Sequence, residues 1–274
     1  MEIDLLDFVS ECKRLAKQAL GKHAGEPAAG GFARWKHVVL HCLRIEDEYT
    51  YRELIDRISL MDEVCEELEL ESDEFPKPST VCKAFDRYKM WVWRQLLRVS
   101  AQQLGGSGHV ALDSTFFERG HASRYYRRRS ERTIQTLKVT TLTDVDSLAV
   151  LDVQCLAQWR HDTRIGPQVV RRNADDLLSV AADKAFQNWP TKLEYYTLDV
   201  DPLILQRGST PLTVGHNALI RANGYDQHWM AETSYSGVKR SLGDAVRAHT
   251  WYREFREIIL KFAVYNIERA CTAL

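Results

Sequence analysis

The sequence predicts an α+β (mixed α/β) chain. A helical N-terminal domain spans residues 1–105, and a second domain, 106–274, carries a mixed sheet flanked by helices. Two observations lead there. Before residue 105 the apolar residues recur at helical spacing, whereas after it short apolar runs alternate as strands do. Between the two regimes stands G-G-S-G at 105–108, the strongest break in the chain.

In the first half, Ile3, Leu6, Phe8, Cys12, Leu15, Ala16 and Leu20 mark one amphipathic helix, stopped at Gly21. H-A-G-E-P-A-A-G-G follows as a loop. A second helix is expected from about Ala33 to Arg44. A third begins after Thr50, which forms a capping box with Glu53. A fourth runs from Leu60 to Leu70. After the charged loop E-S-D-E-F-P-K-P-S-T, Ser79 is placed to cap a helix through V-C-K-A-F-D-R-Y-K-M-W-V-W-R-Q-L-L. Short helices followed by one bearing Ser79, Lys83 and Arg87 suit a helix-turn-helix DNA reader. An ordinary helical bundle with a solvated polar face satisfies the same pattern.

The second half opens with H-V-A-L-D-S-T-F-F, a strand that carries Asp113. Residues 136–156 read as a β-hairpin and 166–178 as a helix. L-S-V-A-A-D-K-A-F is a fourth strand with Asp183 at its tip, and Y-Y-T-L-D-V-D-P-L-I-L supplies a strand or two. A helix around Glu232 and a final amphipathic helix from about Thr250 to Thr272 complete the chain. Three strands, a helix, a strand and a late helix bearing a carboxylate form the order of the ribonuclease-H-like fold. That likeness does not itself assign a function. His161-Asp162 is read as the turn before a helix, and Trp189 and Trp229 as packing residues.

The 274 residues carry a net charge of −1, which points to no partner. Residues 1–100 hold 15 Lys and Arg against 19 Asp and Glu, and residues 101–274 hold 22 against 19. The basic excess therefore lies in the second half. The six cysteines, at 12, 42, 65, 82, 155 and 271, lack the close spacing of a zinc or redox pair and read as reduced thiols. No leader-like start and no run of the ~18–20 apolar residues of a membrane span is visible. A cytoplasmic protein without a membrane partner is expected.

The chemistry concentrates in Asp113, Asp183 and Glu232. Taken singly, Asp113 reads equally as a strand-end turn residue and Asp183 as a helix cap. Taken together, two strand-end carboxylates and one from a packed helix can converge. An oxygen-only set selects Mg²⁺ or Mn²⁺. Two such ions, ~3.5–4 Å apart, serve in-line phosphoryl transfer. In Y-D-Q-H-W-M-A-E-T-S-Y-S-G-V-K, Tyr225, His228, Glu232 and Lys239 are spaced by three, four and seven. At ~100° per residue they fall within roughly 60° of one helical face. R-Y-Y-R-R-R-S-E-R, with Arg124, Arg127, Arg128 and Arg129, reads as phosphate-neutralising side chains interleaved with rings. Lys239-Arg240 fits a DNA-facing helix and a solvated surface equally.

These motifs resemble the DDE transposases of prokaryotic insertion sequences, in the group that includes insertion sequences four and five. That family's signature is Tyr, two residues, Arg, three residues, Glu, six residues, Lys. Here Tyr225, Glu232 and Lys239 match, and His228 stands where the family has Arg. D-K-A-F after Asp183 resembles the family's D-x-(Gly/Ala)-(Tyr/Phe), and A-L-D-S-T resembles its first-acid strand. L-K-V-T-T-L-T-D, M-A-E-T-S-Y-S-G-V-K-R-S-L-G and K-F-A-V-Y-N-I-E-R are similar to archaeal members. The likeness covers most of residues 108–270.

The resemblance implies a transposase that binds element ends, cleaves DNA and joins 3′-hydroxyls to target DNA. Asp113, Asp183 and Glu232 would hold the metals, and Tyr225, His228 and Lys239 the DNA end. Its partners would be double-stranded terminal repeats and target DNA. It would act as a dimer on DNA, nucleoid-associated when bound. Histidine at 228 cannot grip phosphate bidentately as arginine does. Two other readings therefore stand beside it: a catalytically inactive, transposase-derived DNA-binding protein, and a ribonuclease-H-like nuclease or resolvase without strand transfer.

Overall fold

The computed structural model describes residues 3–71, 74–119, 136–158 and 160–273. Its internal contacts divide the chain into two compact units. One comprises residues 1–104, 240–243 and 252–274; the other comprises 105–239 and 244–251. The terminal helix thus groups with the helical unit.

The helical unit begins with α1 (Leu5–Leu20). The Asp4 carboxylate accepts from the N–H groups of Leu6 and Asp7, and Gly21, at φ 54°, ends the helix. Then come α2 (Arg34–Glu46), α3 (Tyr51–Ile58), α4 (Asp62–Glu67), α5 (Pro78–Arg87) and α6 (Met90–Leu104). The Thr50–Glu53 capping box forms as expected. The fourth helix is shorter than its apolar run suggested. Residues 68–77 join it to α5, a longer connection than the roughly 3–4-residue turn of a helix-turn-helix.

Two expectations around α5 fail. Pro78 occupies the first helical position, with Lys77 before it, so Ser79 lies inside the first turn and is not the cap. The long helix expected through residue 97 is also two helices. Tyr88 is extended (φ −72°, ψ 124°) because its side chain is buried and its hydroxyl donates to the Arg34 carbonyl at 2.9 Å. That tertiary bond has no local sequence signal.

The second unit is built on one mixed sheet. Its strands are β1 (His109–Arg119), β2 (Thr136–Asp144), β3 (Val150–Leu156), β4 (Ser179–Ala182) and β5 (Asp201–Ile204), in spatial order 3-2-1-4-5. β1–β2 and β2–β3 are antiparallel, as the hairpin reading required, while β1–β4 and β4–β5 are parallel. The short β6 (Ala245–Val246) pairs with the far end of β1. Asp144 locks the hairpin turn, accepting from the N–H groups of Asp146, Ser147 and Ser107.

Both sheet faces are covered, so the inner strands are apolar on both sides. On one face Val110, Leu112, Val180 and Ile204 meet Ile165 and Val169 of α7 (Asp162–Arg171) and Tyr195 of α8 (Trp189–Thr197). On the other, Ala181 and Leu203 meet Ile220 of α9 (Pro211–Ala222), and Ala111 meets Ala231 of α10 (Met230–Leu242). α11 (Trp251–Ala273) closes the chain. This is a ribonuclease-H-like arrangement following a helical N-terminus. No helix among the described residues is long and apolar enough to cross a membrane.

α7 begins at Asp162, four residues before the expected start. His161 caps it by accepting from the Thr163 N–H, and Asp162 pairs with Lys138 at 2.7 Å. Where a turn before the helix was expected, His161 is the cap and Asp162 the first residue of the helix itself. Trp189 and Trp229 are not packing residues: they are 68% and 51% exposed.

Candidate active site

The site grows from the β1–β4 register. Leu112 pairs with Ala182, so Asp113 follows within β1, while Asp183 is the residue just past the end of β4, where it is exposed and caps a 3-10 turn. Side chains alternate between sheet faces along β1, so Asp113 shares the face of Ala111, which α10 covers. Glu232 enters from above, exposed in the first turn of α10. Burial pushes the Asp113 carboxyl up. Hydrogen bonds from the Tyr235 hydroxyl and the Ser114 N–H oppose this, and the charges of Glu232 and Asp183 add to it. The three carboxylates thus share one field.

α10 is fastened along β1 by matched spacing. Two residues of strand advance about 6.6 Å, and four residues of helix advance about 6 Å. Successive steps therefore bring Ala231 to Ala111, Tyr235 to Asp113 and Lys239 to Thr115. The Tyr235 hydroxyl donates to Asp113 Oδ2 at 2.7 Å, and Lys239 Nζ donates to Thr115 Oγ1 at 2.7 Å. Beside them, Ser234 and Thr143 share a hydroxyl contact at 3.0 Å. Lys239 Nζ also lies 5.3 Å from the Phe117 ring centre and 5.7 Å from that of Tyr235. Burial lowers the pKa of its ammonium.

Tyr225 and His228 do not share an α-helical face with Glu232. Residues Tyr225–Trp229 form a 3-10 turn entered through Gly224 at φ 99°, and the α-helix starts only at Met230. The Tyr225 ring is buried in the cluster of Ala181, Leu203 and Ile220. Burial raises its hydroxyl pKa, and the charge of Asp183 adds to this. The His228 ring stacks on Tyr225 at 4.6 Å and 21°, and its Nδ1–H donates to the Tyr225 carbonyl at 3.0 Å.

Arg240 is exposed on α10. Ser79, Lys83 and Arg87 are exposed at four-residue intervals, one face of α5. Arg124, Arg127, Arg128 and Arg129 lie outside the described residues. Tyr235 and Thr115 were not among the sequence candidates. Both had a signal: Tyr235 lies on the stripe from Glu232 to Lys239, and Thr115 is two residues beyond Asp113 on the same strand face.

An all-carboxylate set suits a hard divalent cation, and its mutual repulsion is what a cation relieves. The residues fit such an ion in donor type and field. Their side chains are committed elsewhere: Asp183 accepts from the Lys184 N–H and Asp113 from Tyr235. Among the described residues no three His, Cys, Asp or Glu side chains stand close enough to share one ion.

Residues 104–267 match the family model described as the transposase DDE domain. The chain belongs to the DDE transposase family. Neither a curated protein nor a solved structure matches it. Within this transposase, the matched span runs from the end of α6 into α11 and includes the whole sheet, both aspartates and Glu232.

Proposed function

We propose that this transposase belongs with the insertion-sequence four and five group, as an archaeal-type member, and that it moves its element by two-metal phosphoryl transfer. The observation that supports this is the β1–β4 register, Leu112 with Ala182, after which Asp113 and Asp183 follow in the chain, with Asp113 bonded to Tyr235 on the helix that bears Glu232. Asp113, Asp183 and Glu232 would hold two Mg²⁺ or Mn²⁺ ions. Bound there, such ions supply activation of an attacking water or 3′-hydroxyl and stabilisation of the leaving oxygen.

The chain's own residues orient the parts. Tyr235 holds the Asp113 carboxylate, and Lys239 and Thr115 pin α10 to β1. Tyr225, His228, Lys239 and Arg240 would meet the DNA end, and the Ser79, Lys83 and Arg87 face of α5 would contact the terminal repeat. Arg124, Arg127, Arg128 and Arg129 would add phosphate contacts. The domains proposed are DNA-binding over 1–105 and catalytic over 106–274. Double-stranded element ends and target DNA are the partners, synapsed by a dimer in the cytoplasm.

The test is metal-dependent processing of a DNA fragment that carries the gene's own flanking ends. Asp113→Asn, Asp183→Asn and Glu232→Gln are each expected to abolish cleavage and joining while DNA binding persists. Cleavage surviving in one variant removes that residue from the assignment. Cleavage without joined product in the wild type supports a nuclease or resolvase. Binding without cleavage supports the non-catalytic reading, which His228 favours: its ring is stacked on Tyr225, whereas arginine would offer a phosphate fork.

A further inference from the structure

The break between α5 and α6 opens a cleft of about 500 Å³ within the helical unit. Its walls are the turn Pro27–Ala29 before α2, the end of α5, and Trp91 and Val92 in the first turn of α6. Although Arg34 pairs with Glu26 at 2.9 Å, the lining among the described residues includes Arg34, Arg87 and Lys89 and no carboxylate. That is notable within residues 1–100, where acids outnumber bases 19 to 15. Apolar surface from Ala28, Ala29, Ala84 and Val92 adds to the lining, as does Trp91, a residue 42% exposed.

The walls are held in place. His37 Nε2–H donates to the Ala29 carbonyl at 2.9 Å, and Tyr88 to Arg34 O at 2.9 Å. Arg256 donates to the carbonyls of Phe85 and Asp86, and Arg253 clamps the Asp86 carboxylate. The positive end of the α6 dipole lies at the same place.

Cations on the lining, a partly exposed indole and an apolar floor together select a ligand with phosphate and a flat ring. The volume suits one nucleotide and not a duplex. A base inside a duplex has both faces covered by its neighbours, so only an unstacked one can meet Trp91. We propose that this cleft binds a single unstacked nucleotide of a DNA strand, with its phosphates on Arg87 and Lys89 and its base against Trp91. The proposal rests on the chain acting on DNA and names a second contact for that DNA, separate from the carboxylate site.

The test is fluorescence anisotropy in EDTA, so that it is independent of cleavage. The probes are a blunt duplex, the same duplex with a short single-stranded overhang, and an oligothymidylate, with AMP and inorganic phosphate as competitors. The wild type should prefer the overhang duplex to the blunt one. Trp91→Ala should weaken overhang and oligothymidylate binding roughly 5- to 100-fold, and Trp91→Phe should keep most of it. Arg87→Gln and Lys89→Gln should each lower the salt slope on oligothymidylate by about 0.7.

An unchanged overhang preference in Trp91→Ala overturns the proposal, as do unchanged salt slopes in both Gln variants. If AMP fills the cleft and no oligonucleotide competes with it, the ligand is a free nucleotide and the DNA assignment falls. Failure of any of these in a protein that still cleaves element ends would leave the transposase reading intact.

Discussion

Replacing Tyr235 by phenylalanine removes one oxygen and keeps the ring that packs near Ala111, Val145 and Ala231. What is lost is the hydroxyl donated to Asp113 Oδ2 at 2.7 Å. A hydrogen bond to a charged acceptor contributes about 1.5–3 kcal/mol, and Asp113 is only half-buried, so about 1 kcal/mol of stability is the expected loss. The effect on ion binding should be larger in proportion. Partners that orient a ligating carboxylate typically change metal affinity 10- to 100-fold. About tenfold is expected here, because the Ser114 N–H still holds the same carboxylate. The assay is Mn²⁺ titration of the DNA-free protein, with free Mn²⁺ read by electron paramagnetic resonance, beside thermal melts with and without the ion. DNA affinity in EDTA is the control and should not move. Equal Mn²⁺ affinity in Tyr235→Phe and wild type would refute the argument, whatever happened to stability.

Two further outcomes follow from packing and burial. Gly166 lies in α7, where an added Cβ would stand 2.9 Å from Phe186 Cδ1, 2.9 Å from Tyr195 Oη and 3.0 Å from Leu112 Cδ2. Overpacking costs about 1–3 kcal/mol against about 1 gained in helix propensity, so Gly166→Ala should lower Tm by several degrees; a raised Tm would show that α7 has room against the sheet. Glu46 and Glu268 are both pushed up to about 7, chiefly by burial, with the charge of Asp47 adding at Glu46 and that of Glu46 adding at Glu268. A carboxyl whose folded pKa stands above its unfolded value takes up a proton on folding. Its contribution is full below about 4.5 and lost as pH rises through about 7. Melts should therefore show stability declining from pH 5 to 8, and Glu268→Gln should flatten that decline; an unchanged pH profile would refute the pairing.

How far the sequence reached differs by level. The sheet was legible because β1 to β4 are apolar runs whose alternation and flanking turns are local. Asp183 was legible as an acid at a strand end, whereas Asp113, read near the end of its strand, sits mid-strand because β1 runs on to Arg119. The helical front was harder. Nothing near Tyr88 announces a break, since Tyr-Lys-Met-Trp continues an apolar helical pattern, and the bond to Arg34 O that extends the chain there spans 54 residues. Gly224 did announce the turn before α10, yet the spacing of Tyr225 and His228 fits a helix so well that the 3-10 geometry was masked.

Tyr235 was reachable in principle, and the reason bears on the site as a whole. The strand positions Ala111, Asp113 and Thr115 and the helix positions Ala231, Tyr235 and Lys239 advance at nearly equal rates, about 6.6 and 6 Å per step. With Lys239 bonded to Thr115, the same ladder carries Tyr235 to Asp113. The helix that bears Glu232 is thus registered on the strand by two side-chain hydrogen bonds, at Asp113 and Thr115. Weakening either one shifts Glu232 relative to Asp113, so damage at Lys239 should reach the carboxylates through α10 as well as through any lost contact with DNA.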